Sequence, residues 1–288
     1  MNKNNFGILY VVATPIGNMQ DMSLRAIEVL KTVDCIVAED TRHSQPLLRH
    51  FLITTPIIAL HEHNEREKTK TLLERLEKGE SIALISDAGT PLISDPGYYL
   101  VREARVAGIK TVPVPGACAA IAALSVAGLP TDRFVFEGFL PAKSGPRMQR
   151  LQALNNETRT MIFYESPHRI LDLLEAMRTA WAPTRSAVIA REVTKLFETI
   201  TSGTLEELIN WVKSDTNQER GEMVVVVEGM KEDLLDTQET YHDMLVILLD
   251  ALPLKQAVEL VTKITGQKKN TVYNLALKIS NNKPIIPD

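Results

Sequence analysis

The stretch Ser81-Ile-Ala-Leu-Ile-Ser-Asp-Ala-Gly-Thr-Pro-Leu-Ile-Ser-Asp-Pro-Gly97 decides how the rest of the chain is read. Its apolar run, Ile82 to Ile85, has the pattern of a short strand buried on both faces. The run empties into a loop of Ser, Asp, Gly, Thr and Pro before a helical pattern begins at Tyr98. In an open α/β sheet such a loop lies at the carboxyl edge, where ligands collect and glycine lets backbone approach them closely. An ordinary strand-to-helix turn has the same composition, so the surrounding segments decide what the loop is for.

Upstream, Gly7 to Ala13 reads as a first strand, broken by Thr14-Pro15-Ile16-Gly17-Asn18, and Ser23 then caps a helix with Leu24, Ile27 and Leu30 on one side. Cys35 to Ala38 and Pro56 to Leu60 are the next strands, and Asn64 with Glu67 has capping-box spacing for a helix that Gly79 stops. Thr111 to Val114 follows, ending in Pro115-Gly116-Ala117-Cys118-Ala119-Ala120. This alternation predicts a parallel sheet with right-handed crossovers.

A second series has strands at Phe134 to Phe139, Thr160 to Tyr164, Ser186 to Ala190 and Met223 to Val227, with helices near Pro146 to Asn155, His168 to Trp181 and Leu205 to Trp211. The expected fold is therefore two α/β domains, 1–117 and 118–234, with a ligand cleft between their sheets. Residues 240–288 read as three short helices, Tyr241 to Leu252, Leu254 to Thr265 and Asn270 to Ser280, forming either a helix-turn-helix or a helical cap.

The 288 residues are 44% hydrophobic, enough for well-filled cores, yet no run of about 18 apolar residues exists. The N-terminal Met1 to Phe6 is polar, and a soluble cytoplasmic protein without a membrane partner is expected. Cys35 and Cys118 supply neither a disulfide framework nor metal-ligand spacing, so no metal is expected. A net charge of −4 argues against coating nucleic acid by bulk attraction, although Tyr241 to Asp288 carries six lysines against four acidic residues.

Three loops at strand ends, Thr14 to Asn18, Asp87 to Gly97 and Pro115 to Ala120, are built from small residues that can close around a small molecule. None carries a phosphate-loop or dinucleotide fingerprint, and Asp87 to Gly97 has no basic residue, which disfavours triphosphates and dinucleotides. The carboxylates Asp87 and Asp95 suit a ligand with an ammonium or hydroxyls, such as an amino-acid-bearing nucleoside. Acid, base and cationic groups gather at other strand ends: Glu39-Asp40-Thr41-Arg42-His43, Tyr164-Glu165-Ser166-Pro167-His168-Arg169 and Arg191-Glu192-Val193-Thr194-Lys195. Lys143, Arg147, Arg150 and Arg159 form a basic flank that suits phosphates, or a solvated helix face.

These segments, with Asp87-Ala88-Gly89-Thr90-Pro91, Ser94-Asp95-Pro96-Gly97 and Pro115-Gly116, together resemble the bacterial 16S ribosomal RNA ribose-2′-O-methyltransferases of the tetrapyrrole methylase superfamily over essentially the whole chain. The resemblance implies a homodimeric enzyme of the tetrapyrrole-methylase type that binds S-adenosylmethionine in the interdomain cleft. It also implies methylation of a cytidine ribose in the decoding region, with 16S rRNA or the small ribosomal subunit as partner.

Pro15, Asp87, Ala88, Gly89, Thr90, Asp95, Pro115, Gly116 and Ala117 are then expected at the cofactor, with Phe163 and Gly221 to Met223 on its adenosine side. Asp40, His43 and Glu165 are the candidate bases, and Arg42, Arg169 and Lys195 would position phosphate or stabilise charge. Cys118 stands where relatives often carry Ser, and the first loop lacks the Gly-Pro-Gly-Asp of the tetrapyrrole-modifying branch, which favours the RNA branch. A small-molecule methyltransferase and a non-catalytic ribosome-assembly factor are the two alternatives.

Overall fold

The computed structural model describes residues 6–61, 63–230 and 238–281; the expected segments at 231–234 and 282–288, with Lys283, lie outside the described residues. The chain divides into two compact units. One holds both sheets (residues to 155, and 159–228), and the other comprises 156–158 with the residues from 229 onward.

The first sheet is built from β1 (Ile8–Val12), β2 (Cys35–Ala38), β3 (Ile57–Ala59), β4 (Ile82–Ile85) and β5 (Lys110–Val114) in the order β3-β2-β4-β1-β5. All its pairings are parallel. Every residue of β2 and β4 is buried, as continuous apolar runs require. Because β4 lies between β2 and β1, the loops that follow these three strands emerge side by side at one edge.

Helices α1 (Leu24–Thr32), α2 (Thr41–His50), α3 (Glu65–Glu77), α4 (Tyr98–Val106) and α5 (Ala119–Val126) alternate with these strands. The Ser23 hydroxyl accepts from the Ala26 N–H at the start of α1, but Leu24 is exposed rather than on the buried side. The Asn64–Glu67 capping box does not form. Asn64 instead accepts the His61 N–H at 2.9 Å, and the Glu65 carboxylate caps a different helix, accepting from the Gly97 and Tyr99 N–H groups at the start of α4.

The second sheet contains β6 (Phe134–Phe139), β7 (Thr160–Glu165), β8 (Ser186–Arg191), β9 (Thr199–Thr204) and β10 (Met223–Val227), ordered β6-β7-β10-β8-β9. Only β6 and β7 are parallel; β10 runs antiparallel to both β7 and β8. The carboxyl ends of β7 and β8 therefore share an edge with the amino end of β10, and Met223 pairs with both Glu165 and Arg191. The polar edge strand β9 is an addition to the strands expected from sequence.

Helices α6 (Ser144–Ala153), α7 (Ile170–Ala180) and α8 (Leu205–Ser214) pack with one face of this sheet around Met161, Phe163, Ile189 and Val225. Helix α5 packs on the other face against Ile162, Val188 and Val224. Each fully buried Leu, Ile or Phe contributes about 1.5–3 kcal/mol relative to exposure, so these two apolar layers hold the sheet edge that carries the polar groups.

Two of the four residues of the expected basic flank are engaged within the protein. Arg147 is buried near Asp172, and Arg150 pairs with Glu137 at 2.8 Å. The second unit is a bundle of α9 (Gln238–Ala251), α10 (Leu254–Thr265) and α11 (Lys269–Asn281) around Leu245, Val258, Val261, Val272 and Ala276. Gly266 ends α10 in the left-handed conformation, φ 70°.

Candidate active site

Three loops of the first sheet are tied to one another through backbone and hydroxyl groups. Thr14 and Gly89 exchange N–H···O bonds of 2.8 and 3.1 Å, joining the loops after β1 and β4. The Thr90 hydroxyl donates to the Ala117 carbonyl at 2.9 Å, joining the loops after β4 and β5. Gly89 has φ +85°, which favours glycine, and a Cβ there would press on Ile16 Cγ2 at 3.1 Å. Leu92 and Ser94 also hold positive φ, a strain that persists only where the surroundings over-determine the backbone.

These loops and the Glu165–Met223 edge of the second sheet enclose a cavity of about 350 Å³. Asp87, Ala88, Gly89, Thr90, Asp95, Glu165 and Met223 line it. Its four carboxylates, Asp87, Asp95, Glu165 and Glu222, face no cationic side chain among the lining residues. Burial raises Asp95 to about 6, with Asp87 adding to the shift and the Ser86 hydroxyl opposing it. The Glu165 side chain is fully buried. Its Oε1 accepts the Ser166 N–H at 2.8 Å, while Oε2 lies 3.2 Å from Arg169 and has no hydrogen-bond partner. Arg169 stands behind Glu165, donating to the Leu140 carbonyl at 2.8 Å.

A second cavity of about 230 Å³ shares Ile16, Asp87, Ala88 and Glu222 with the first and adds Pro15, Gly17, His43 and Lys195. His43 Nδ1–H donates to Asp87 at 3.0 Å, and that bond raises the imidazole pKa above its usual value. Asp87 also accepts the Asp40 N–H at 3.1 Å. Arg42, whose side chain is 88% exposed, pairs with Asp40 at 2.6 Å and holds that carboxyl well below the usual range. Lys195 is fixed by Glu192 at 2.8 Å and Glu222 at 3.0 Å. Burial lowers its pKa, but the two carboxylates outweigh burial and keep the ammonium charged. Its stem packs against Gly17, where a Cβ would fall 2.4 Å from Lys195 Cγ.

Three expectations need correcting. Phe163 faces α6, α7 and α8, fully buried with its ring 6.2 Å from Trp181, and does not line the cavity. Its neighbour Tyr164 does, because successive strand residues point to opposite faces. Pro115, Gly116 and Ala117 do not line the cavity; they back its wall, where a Gly116 Cβ would press on Ala13 at 2.9 Å. Arg42 and Arg169 hold Asp40 and Glu165 from outside the two cavities.

Tyr164, Cys118 and Glu222, which belong to segments expected near the ligand, line the cavity, and Phe139, for which the sequence offers no functional signal, lines it too. Burial pushes the Tyr164 phenol well above its usual range, and its oxygen accepts the Ala120 N–H at 3.1 Å, an otherwise unpaired first-turn donor of α5. Tyr164→Phe is expected to destabilise the fold by about 1–2 kcal/mol, measured by denaturant unfolding.

Among the described residues no group of three His, Cys, Asp or Glu side chains is placed to hold a metal ion, and no helix is long and apolar enough to cross a membrane.

Residues 8–209 match the tetrapyrrole (corrin/porphyrin) methylase family, and residues 236–280 match the domain described as "RsmI C-terminal HTH domain". The ribosomal RNA small subunit methyltransferase I of Pseudomonas aeruginosa is 56% identical over 276 residues, covering 94% of this chain and 97% of its own. That of Escherichia coli O157:H7 is 54% identical over 275 residues, 96% of each chain. Among solved structures, diphthine synthase superposes with TM-score 0.59 at 18% identity, covering 77% of this chain and 89% of its own. A Thermus thermophilus uroporphyrin-III C-methyltransferase complexed with S-adenosyl homocysteine gives TM-score 0.52 at 18% identity, covering 77% and 97%.

Proposed function

Because the chain belongs to the tetrapyrrole methylase family, in its ribosomal RNA small subunit methyltransferase I branch, we propose that it methylates the ribose 2′-hydroxyl of a cytidine in the decoding region of 16S rRNA, using S-adenosylmethionine. The carrying observation is the larger cavity, mostly apolar and lined by no cationic side chain: Asp87, Glu165 and Glu222 pair with His43, Arg169 and Lys195 behind its wall, and Asp95, among the described residues, has no cationic partner. A sulfonium- and ammonium-bearing nucleoside fits that chemistry, and an anion does not. Glu165 Oε2, ion-paired with Arg169 at 3.2 Å but with no hydrogen-bond donor among the described residues, would be open to a hydroxyl or ammonium of the ligand.

Asp87, Asp95 and Glu165 would hold the cationic and hydroxyl groups of S-adenosylmethionine, Gly89 would admit close backbone approach, and Tyr164, Phe139 and Met223 would supply the apolar wall. When bound, this cofactor supplies an electrophilic methyl carbon on sulfur. The acceptor ribose enters the second cavity. There Asp87 orients the His43 ring through Nδ1–H, which would leave Nε2 to accept the 2′-hydroxyl proton as the new C–O bond forms. The methyl group would come from the bound cofactor by cleavage of its S–CH3 bond, the electron pair staying on sulfur and S-adenosylhomocysteine leaving. Lys195, a cation lining the second cavity, would hold a flanking phosphate, and Arg42, paired with Asp40 outside that cavity, would meet the RNA backbone beyond it. Asp40, already held ionised by Arg42, is the poorer base of the two first-sheet candidates. The family's dimer and the division at residues 117–118 belong to the same proposal.

Asp95 supplies a pH test. A cationic ligand favours its charged form, so cofactor affinity is expected to fall as pH drops through about 6. The effect on the empty fold has the opposite sign. With its pKa raised above 3.8, Asp95 contributes stability below that value and loses it as pH rises through about 6. Calorimetric titration of S-adenosylmethionine at pH 5 and 7.5 checks this: Asp95→Asn should flatten the affinity profile, and an unflattened profile would remove Asp95 from the cofactor site.

A further inference from the structure

We propose that the solvent-facing side of α11, with the turn that leads into it, is an RNA-contacting surface, in which Lys268 of that turn and Lys269 and Lys278 of the helix hold phosphates and Tyr273 stacks on an unpaired base of the rRNA target. This rests on the reading of rRNA as substrate. The pattern begins with what α11 buries: Val272, Leu275 and Ala276 enter the core of the bundle. Lys269, Tyr273 and Leu277, spaced four apart, stay exposed, as does the adjacent row Asn270, Asn274 and Lys278.

Charge points to the occupant. From Gly266 to Pro287 the chain holds Lys268, Lys269, Lys278 and Lys283 and no acidic residue, within a protein of net charge −4. Among the described residues, Lys268, Lys269 and Lys278 enter no salt bridge, whereas Lys263 on α10 pairs with Glu259 at 3.0 Å. A Tyr left 43% exposed between lysines and asparagines is the composition of a stacking platform in an electrostatic groove. A protein-binding face would be expected to deplete lysine, and a membrane-binding face to present more than Leu277 on its apolar side.

The nucleic acid also constrains the mode. The deep, narrow major groove of A-form RNA does not admit a helix, so α11 would lie along the backbone and take an unstacked base rather than read paired bases. Affinity from this face should therefore depend steeply on salt and weakly on sequence.

The test uses the full chain carrying K268A, K269A and K278A together, with Tyr273→Ala and Tyr273→Phe as separate variants. Binding of 16S rRNA is followed across KCl concentrations, with the KM for RNA and the affinity for S-adenosylmethionine measured in parallel. Three lost phosphate contacts should lower the slope of log affinity against log salt by about 2–3 and raise the RNA KM about tenfold or more. Cofactor affinity and kcat at saturating RNA should be unchanged. Tyr273→Ala should weaken RNA binding, and Tyr273→Phe should restore it.

An unchanged salt slope and RNA KM in the triple variant would overturn the proposal. Retained RNA binding with lost binding to anionic phospholipid vesicles would overturn it equally, assigning the face to a membrane. Absence of methyl transfer by the unaltered protein would instead strike the proposed activity, because the salt slope is read from RNA binding without turnover.

Discussion

His43→Ala is expected to lower kcat for methyl transfer by about 10²–10⁴-fold, the range for losing a positioned general base, while leaving S-adenosylmethionine affinity near its original value. The separation follows from location: His43 lines the smaller cavity and is not among the residues lining the larger one. Its base function needs the neutral ring, and Asp87 raises its pKa above the ordinary 6.5, so the rate should climb as pH rises through a value above that figure. Asp87→Asn should move this limb downward, because a neutral amide no longer stabilises the imidazolium. Asp87→Ala should cost both turnover and cofactor binding, since Asp87 lines both cavities and accepts from His43 and from the Asp40 N–H. Steady-state rates across pH, set beside calorimetric cofactor titration, check the three variants together. Normal kcat in His43→Ala would remove His43 as the base and return that role to Glu165.

Glu165→Ala should weaken S-adenosylmethionine binding by about 10–100-fold, equivalent to losing a charged hydrogen bond of about 1.5–3 kcal/mol. It should also destabilise the protein. The Glu165 carboxylate is buried, and its removal leaves the Ser166 N–H and the Arg169 guanidinium without their acceptor. Arg169 retains the Leu140 carbonyl and its side chain is 28% exposed, so the cost is about 1–3 kcal/mol rather than that of a fully buried orphan charge. Glu165→Gln keeps the shape and an acceptor oxygen, and should recover most of the stability but only part of the affinity. Chemical denaturation and cofactor titration on both variants separate the two effects. Equal affinities for Ala, Gln and the original residue would exclude Glu165 from the cofactor site.

The first sheet was readable because β2 and β4 are short and wholly apolar, and the glycine- and proline-rich segments after β1, β4 and β5 mark where each strand stops. The second sheet was readable only where its strands are apolar. β9, Thr-Ile-Thr-Ser-Gly-Thr, lies at an edge, carries mostly polar residues and makes no apolar run. The choice of Phe163 over Tyr164 failed by one residue of strand parity, which local composition leaves undetermined when both residues are aromatic.

Site residues drawn from one loop are visible as a motif, as in Asp87-Ala88-Gly89-Thr90. Pairs made by tertiary structure are not: His43 meets Asp87 across 44 positions, and Lys195 meets Glu222 across 27. Glu222 shows the difference: its segment is expected near the ligand, but its pairing with Lys195 depends on β10 running antiparallel between β7 and β8.

The most direct measurement incubates the purified protein with methyl-labelled S-adenosylmethionine and either 16S rRNA or small subunits lacking the modification, then digests the RNA to nucleosides for mass spectrometry. Label recovered as one 2′-O-methylcytidine per RNA molecule, at a decoding-region position, is the expected result. Label on a base, at another nucleotide, or absent from RNA while a tetrapyrrole acceptor takes it up would contradict the account.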